Sequence, residues 1–136
     1  MDILLVDDHP IIHETLRAMV RSLRPSVEFH SQFDLDAGLA EARRLDELQL
    51  VLLDLGLPGC SGTQALQKFR SAVPQARVVV ISADEDAERV RAALDDGAAS
   101  YLPKTLRPKA MVDALRVVLD GGMYAPAVTA SLTGRK

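Results

Sequence analysis

Apolar positions along the chain follow two patterns that take turns. Residues 2–7 are a short apolar run without helical period, the mark of a strand buried on both faces. Ile12, Leu16, Met19, Val20 and Leu23 then recur at helical spacing, with Pro10 where a first turn tolerates it. Residues 27–33 (VEFHSQF) alternate apolar and polar, which predicts a half-exposed edge strand. Asp34 is placed to cap a helix over about 35–47, with Leu35, Leu39, Ala42 and Leu45 or Leu48 inward. LQLVLLD (48–54) is a second continuous apolar run, and the turn-rich LGLPGCSG follows. Ser61 or Gly62 starts a helix to about Ala72, and RVVVIS (77–82) is another β-branched strand. Residues 85–96 read as a charged helix with Val90, Ala93 and Leu94 inward, stopped by Gly97. ASYL (99–102) is a short strand before Pro103 and Lys104. Pro108 opens a last helix carrying Met111, Leu115, Val118 and Leu119, closed by Gly121 and Gly122.

Strands alternating with helices predict βαβ units: a mostly parallel α/β sheet with helices on both faces. The carboxyl ends of such strands share one edge, where open α/β sheets bind ligands. The first strand ends on Asp7 and Asp8, the third on Asp54, the fourth on Ser82, and Lys104 follows the fifth. Two carboxylates about 4 Å apart repel by roughly 4 kcal/mol at an effective dielectric of 20. Gathered carboxylates therefore raise their pKa values or recruit a cation. Oxygen ligands favour Mg2+ or a similar hard ion (Mn2+ among them) over zinc. A carboxylate is also an established nucleophile towards phosphorus, forming an acyl phosphate. An ammonium and a hydroxyl suit the oxygens of the incoming phosphoryl group.

The bulk properties narrow the partners. At 136 residues the chain has the size of a single domain. A net charge of −3 and a pI of about 5.6 argue against direct nucleic-acid binding by this segment. Trp is absent and aromatics are 4%, so no base-stacking platform is expected. Cys60 has no second cysteine to pair with. No signal peptide or membrane span is readable. These features predict a cytoplasmic protein with no membrane partner.

DDHP (7–10), LLDLGLPGCSG (52–62), VVVIS (78–82) and SYLPK (100–104) together resemble the receiver domain of two-component response regulators. DDHP with LPGCSG further resembles the NarL/LuxR-type subgroup. The resemblance covers residues 2 to about 122. It implies a flavodoxin-like, doubly wound, five-stranded parallel sheet of order 2-1-3-4-5. It implies that Asp54 accepts a phosphoryl group from a sensor histidine kinase. Asp8, Asp54 and the Gly56 backbone carbonyl would bind Mg2+ (or Mn2+), with Asp7 helping through water. Ser82 and Lys104 would bind the phosphoryl group, and Ser82 and Tyr101 would switch. A cis peptide at Leu102–Pro103 is a frequent accompaniment. The chain would be no enzyme, apart from catalysing its own phosphorylation and dephosphorylation. Residues 1–122 would be the receiver and 123–136 a linker or tail leading to a helix-turn-helix DNA-binding output domain not contained in this sequence. Phosphorylation would promote a homodimer through the first and last helices or the output face.

Two positions depart modestly from the family: Gly56, two residues after Asp54, and the acidic Asp84, two after Ser82. Both flank the water route to a phosphorylated Asp54, which makes them candidates for tuning its dephosphorylation. His9 and His13 stand at i, i+4, but His9 precedes Pro10 and falls outside the helix, so a His–His metal pair is set aside. The main rival is a haloacid dehalogenase-like phosphotransferase, which usually wants a second Asp two residues after its nucleophile; Gly56 stands there. A stand-alone receiver acting by protein contacts is the other.

Overall fold

In the computed structural model, residues 1–60 and 63–126 are described. Five strands are β1 (Asp2–Val6), β2 (Glu28–Gln32), β3 (Leu48–Asp54), β4 (Arg77–Ser82) and β5 (Ser100–Pro103). They form one sheet of order β2-β1-β3-β4-β5 in which each neighbouring pair is parallel. Five helices alternate with them: α1 (Pro10–Leu23), α2 (Leu35–Arg44), α3 (Gln64–Ala72), α4 (Ala87–Asp95) and α5 (Pro108–Leu119). The sheet order and the two helical layers match the expected flavodoxin-like arrangement.

The unbroken apolar runs are explained by the two-sided core. Strand side chains alternate between faces. Leu4, Val6, Val51, Leu53, Val78 and Val80 pack with Leu39, Leu66, Phe69 and Val90 of α2, α3 and α4. Ile3, Leu5, Leu50, Leu52, Val79 and Ile81 pack with Leu16, Val20, Leu115 and Val118 of α1 and α5. Both faces of β1, β3 and β4 are thus buried, and an alternating pattern there would strand polar groups in one layer. β2 pairs only with β1, and its residues stay exposed (Glu28) or half-buried, in keeping with the half-exposed edge strand expected there.

Several boundaries differ from the sequence reading. β1 ends at Val6, with Asp7 beyond it, and β2 is shorter than 27–33. α2 stops at Arg44 because Leu45 turns extended as its C-cap, while Leu48 belongs to β3. α4 begins at Ala87 instead of residue 85. Asp84 and Tyr101 hold the chain before it in a loop, where the Tyr101 hydroxyl donates to the Asp84 carbonyl at 2.6 Å. β5 runs one residue later than expected. No peptide among the described residues is cis, so Leu102–Pro103 is trans. The expected α3 start at Ser61 or Gly62 lies outside the described residues. Other signals hold: Asp34 caps α2 through Ala37 N–H at 2.8 Å, and Gly121 leaves α5 with φ +91°.

Beyond α5 the chain doubles back along β5. The Arg77 guanidinium donates to the carbonyls of Val118 (2.9 Å) and Gly122 (2.8 Å). Tyr124 N–H donates to the buried Ser100 Oγ at 2.9 Å, and Tyr101 N–H donates to the Tyr124 carbonyl at 2.9 Å. This stretch was expected to be plain linker; the rest of that expectation, residues 127–136, lies outside the described residues.

The tightest approach between layers is at Gly38 in α2. A Cβ there would lie 2.8 Å from Val6 Cγ2 and 3.1 Å from Phe69 Cζ. Overpacking of that kind costs about 1–3 kcal/mol. Ala gains only about 1 kcal/mol of helix propensity over Gly. Gly38→Ala is expected to lower stability by about 1 kcal/mol net, read as a lower urea midpoint with an unchanged slope.

Candidate functional site

The register of the sheet assembles the site. Val6 pairs with Leu53, so Asp7 emerges beside Asp54, and Asp54 pairs with Ile81, so Ser82 emerges one residue further on the next strand. Ser82 pairs with Pro103, and Lys104 follows it, with its N–H on the Ser82 carbonyl at 2.7 Å. Asp7 is fully buried and Asp54 is 3% exposed. Asp8 points to the mouth of the site with its side chain 33% exposed.

Lys104 holds the two buried carboxylates together. Its Nζ lies 2.8 Å from Asp7 Oδ2 and 3.3 Å from Asp54 Oδ2. Asp54 Oδ1 accepts the Gly56 N–H at 2.9 Å. Asp7 Oδ1 accepts the His9 N–H at 2.8 Å. The bare Gly56 also leaves the approach to Asp54 free, since a Cβ there would come within 3.3 Å of Oδ1. Burial pushes the Asp54 carboxyl above its ordinary value; the Gly56 N–H opposes this, the Asp7 charge adds to it, and Lys104 opposes it, and burial prevails.

A ligand set is left open. Asp8 Oδ1 and Asp54 Oδ2 are buried atoms that accept no hydrogen bond from the described residues. Asp7, Asp8, His9 and Asp54 each offer one ligand atom, and these atoms lie within 4.8 Å of one another. That spacing and charge fit one hard divalent cation. Asp7, with both oxygens facing His9 or Lys104, is less free to ligate directly than Asp8.

Ser82 and Tyr101 form a second group next to the carboxylates. Ser82 Oγ accepts the Asp84 N–H at 3.0 Å. The Tyr101 ring is fully buried, and burial raises its hydroxyl pKa, so it acts as a neutral donor to the Asp84 carbonyl. The Asp84 carboxylate turns towards α4, where it meets Arg89 at 3.2 Å and the Asp86 N–H at 2.8 Å.

The sequence reading put His9 outside α1, as the structure does, but gave neither His9 nor His13 a contact with the carboxylates. His9 does lie outside α1, as its N-cap, yet its Nδ1 sits 2.9 Å from Asp7 Oδ1 and 3.2 Å from Asp8 Oδ1. His13 is buried, donates from Nε2–H to the Asp7 carbonyl at 2.7 Å, and packs against the Phe33 ring. The two therefore do different work and form no metal pair. The signal for His9 was its place directly after two carboxylates; the signal for His13 was its apolar helix face.

The chain matches the response regulator receiver domain family over residues 3–116. It is 34% identical over 137 residues to the glycerol metabolism activator of Pseudomonas putida, covering 98% of this chain and 62% of that protein. It is 33% identical over 140 residues to the nitrate/nitrite response regulator protein NarL of Escherichia coli K12, covering 98% and 64% respectively. The chain thus spans less than two thirds of these relatives. A LuxR-family two-component response regulator from Aurantimonas sp. SI85-9A1 superposes with a TM-score of 0.81 at 27% identity, over 96% of this chain and 92% of the other. The isolated REC domain of RcsB from Salmonella enterica serovar Typhimurium shares the fold, with a TM-score of 0.84 at 22% identity over 97% of each chain. With matching residues running from β1 into α5, the chain belongs to the response regulator receiver domain family.

Proposed function

We propose that this receiver is a phosphorylation-dependent switch in which Asp54 accepts a phosphoryl group from a sensor histidine kinase. The observation that carries the reading is Asp54 itself: a buried carboxylate with Oδ2 free of hydrogen bonds, facing Lys104 at the mouth of a strand-end cleft. An Asp54 oxygen attacks phosphorus, the P–N bond to the donor histidine breaks, and the departing imidazole keeps the electron pair and takes up a proton. Lys104 is placed to move from the carboxylates onto the phosphoryl oxygens. Ser82 Oγ would turn from Asp84 N–H to the same oxygens, with Tyr101 following behind it. Asp8, Asp54 and the Gly56 carbonyl would hold Mg2+ or Mn2+, with Asp7 acting through water. Bound there, the cation would neutralise charge on the phosphoryl oxygens.

The output belongs to the same proposal. Relatives named as transcriptional regulatory or activator proteins extend beyond the length of this chain. The segment after α5 would lead to a DNA-binding domain, own or partner, that phosphorylation controls, with a homodimer as one route. No described helix is long and apolar enough to cross a membrane, and the proposed site of action is the cytoplasm. A phosphotransferase of the haloacid dehalogenase type is disfavoured by Gly56, which stands where its second Asp would be.

Acetyl phosphate with Mg2+ is expected to add one phosphate to the intact chain, and Asp54→Ala to abolish the adduct; the readout is intact mass. An unchanged mass with every donor would reject the reading. Asp84→Ala is expected to change the lifetime of the phosphorylated form, because it frees Arg89 and the loop over the water route; equal lifetimes would remove Asp84 from this role. Asp54 also makes a stability prediction. A carboxyl with a folded pKa above its ordinary 3.8 binds its proton more tightly when folded. The fold therefore loses stability as pH rises from that value through the raised one. Asp54→Asn, without divalent cations, is expected to raise Tm by a few degrees near pH 7 and by less near pH 4.

A further inference from the structure

His9 is exposed at the ring yet aimed inward at one atom. Its side chain is 59% accessible, while Nδ1 lies 2.9, 3.2 and 4.0 Å from oxygens of Asp7, Asp8 and Asp54. The backbone fixes this aim. His9 is the N-cap of α1 in extended conformation, followed by Pro10, and its own N–H is tied to Asp7 Oδ1 at 2.8 Å. Proline restricts the residue before it to that extended region. The imidazole is therefore held at the opening of the cluster by the extended backbone before Pro10 and by the His9 N–H bond to the Asp7 carboxylate.

The cluster also lacks a full set of partners. Asp7 Oδ2, Asp8 Oδ1 and Asp54 Oδ2 are buried and accept no hydrogen bond from the described residues. Among the described residues, the Lys104 ammonium is the counter-charge that Asp7 and Asp54 share at those atoms.

We infer that His9 Nδ1 is a nitrogen ligand for the cation held by Asp8 and Asp54, which shifts this site towards Ni2+ and Zn2+ and away from strict Mg2+ preference. The inference rests on the cation site proposed above and deepens it. Imidazole adds much more affinity for these ions than for Mg2+, whose preference is for oxygen. Ligation uses the Nδ1 lone pair, so the ring proton resides on Nε2. The same geometry without ligation would make His9 a hydrogen-bonding prop for Asp7. A prop would support all cations alike.

The two roles separate on the intact chain. Zn2+ is titrated while the histidine ring nitrogens are followed by 15N NMR, and Mg2+ and Ni2+ affinities are measured by calorimetry for wild type and His9→Ala. His30, already enclosed by Asp2 (3.0 Å) and Glu41 (3.4 Å), serves as the internal reference. Ligation predicts that Zn2+ shifts His9 Nδ1 more than His30. It predicts that His9→Ala weakens Ni2+ about tenfold or more and leaves Mg2+ within about twofold. An unshifted Nδ1, an unchanged Ni2+ affinity, or an equal fall for both ions overturns the role of His9 while Mg2+ binding still stands. Loss of all cation binding in wild type overturns both the role and the site beneath it. The NMR readout needs no variant, so it decides the question even if His9→Ala fails to fold.

Discussion

Two buried carboxylates share one ammonium, and the rest of the molecule is arranged around that shortage of positive charge. Asp7 and Asp54 stand side by side because β1 and β3 are parallel neighbours in fixed register. The strands cannot slip to relieve the repulsion, since a shift of one residue would turn each apolar face of β1 and β3 to the opposite helical layer. Lys104 is brought in from the far side of β4 and touches both. The apolar core thus enforces an electrostatic conflict that a ligand at the strand ends would relieve. Phosphoryl and cation chemistry are the natural outlets for such a store.

Much of this was legible along the chain. Runs such as ILLV and LVLL carry no helical period, so both faces had to be buried, and their last residues had to emerge together. Asp7, Asp8, Asp54, Ser82 and Lys104 were placed by that reasoning alone. His9 was not, because periodicity describes where a residue sits and says nothing of a ring that folds back across a single turn. His13 was read only as the second half of a His–His pair that was set aside; the three-dimensional contact with the Asp7 carbonyl shows it steadying the loop that bears the carboxylates. The late start of α4 was hidden for a related reason. Residues 85 and 86 have ordinary helix chemistry, and a long-range hydrogen bond from Tyr101 holds the chain just before them in a loop.

That hydrogen bond links the two halves of the strand-end edge. Ser82 Oγ and the Tyr101 hydroxyl both engage Asp84, one at its N–H and the other at its carbonyl. The Asp84 side chain in turn reaches Arg89 on α4. A change at Ser82 has therefore a short mechanical route to α4 that passes through main chain as well as side chains. Cys60 packs against the same core layer from the opposite loop and takes no part in it.

The segment doubling back after α5 has an effect on the sheet as a whole. Lys104 N–H turns to β4, so strand alternation leaves Tyr101 and Pro103 as the residues of β5 facing outward. Pro103 has no N–H to offer, and that of Tyr101 is occupied by the Tyr124 carbonyl. No donor on that flank is left for a foreign strand to pair with. Growth of the sheet by strand addition is blocked on the β5 side by one proline and one returning carbonyl. Among the described residues, β2 is the flank still open to another chain.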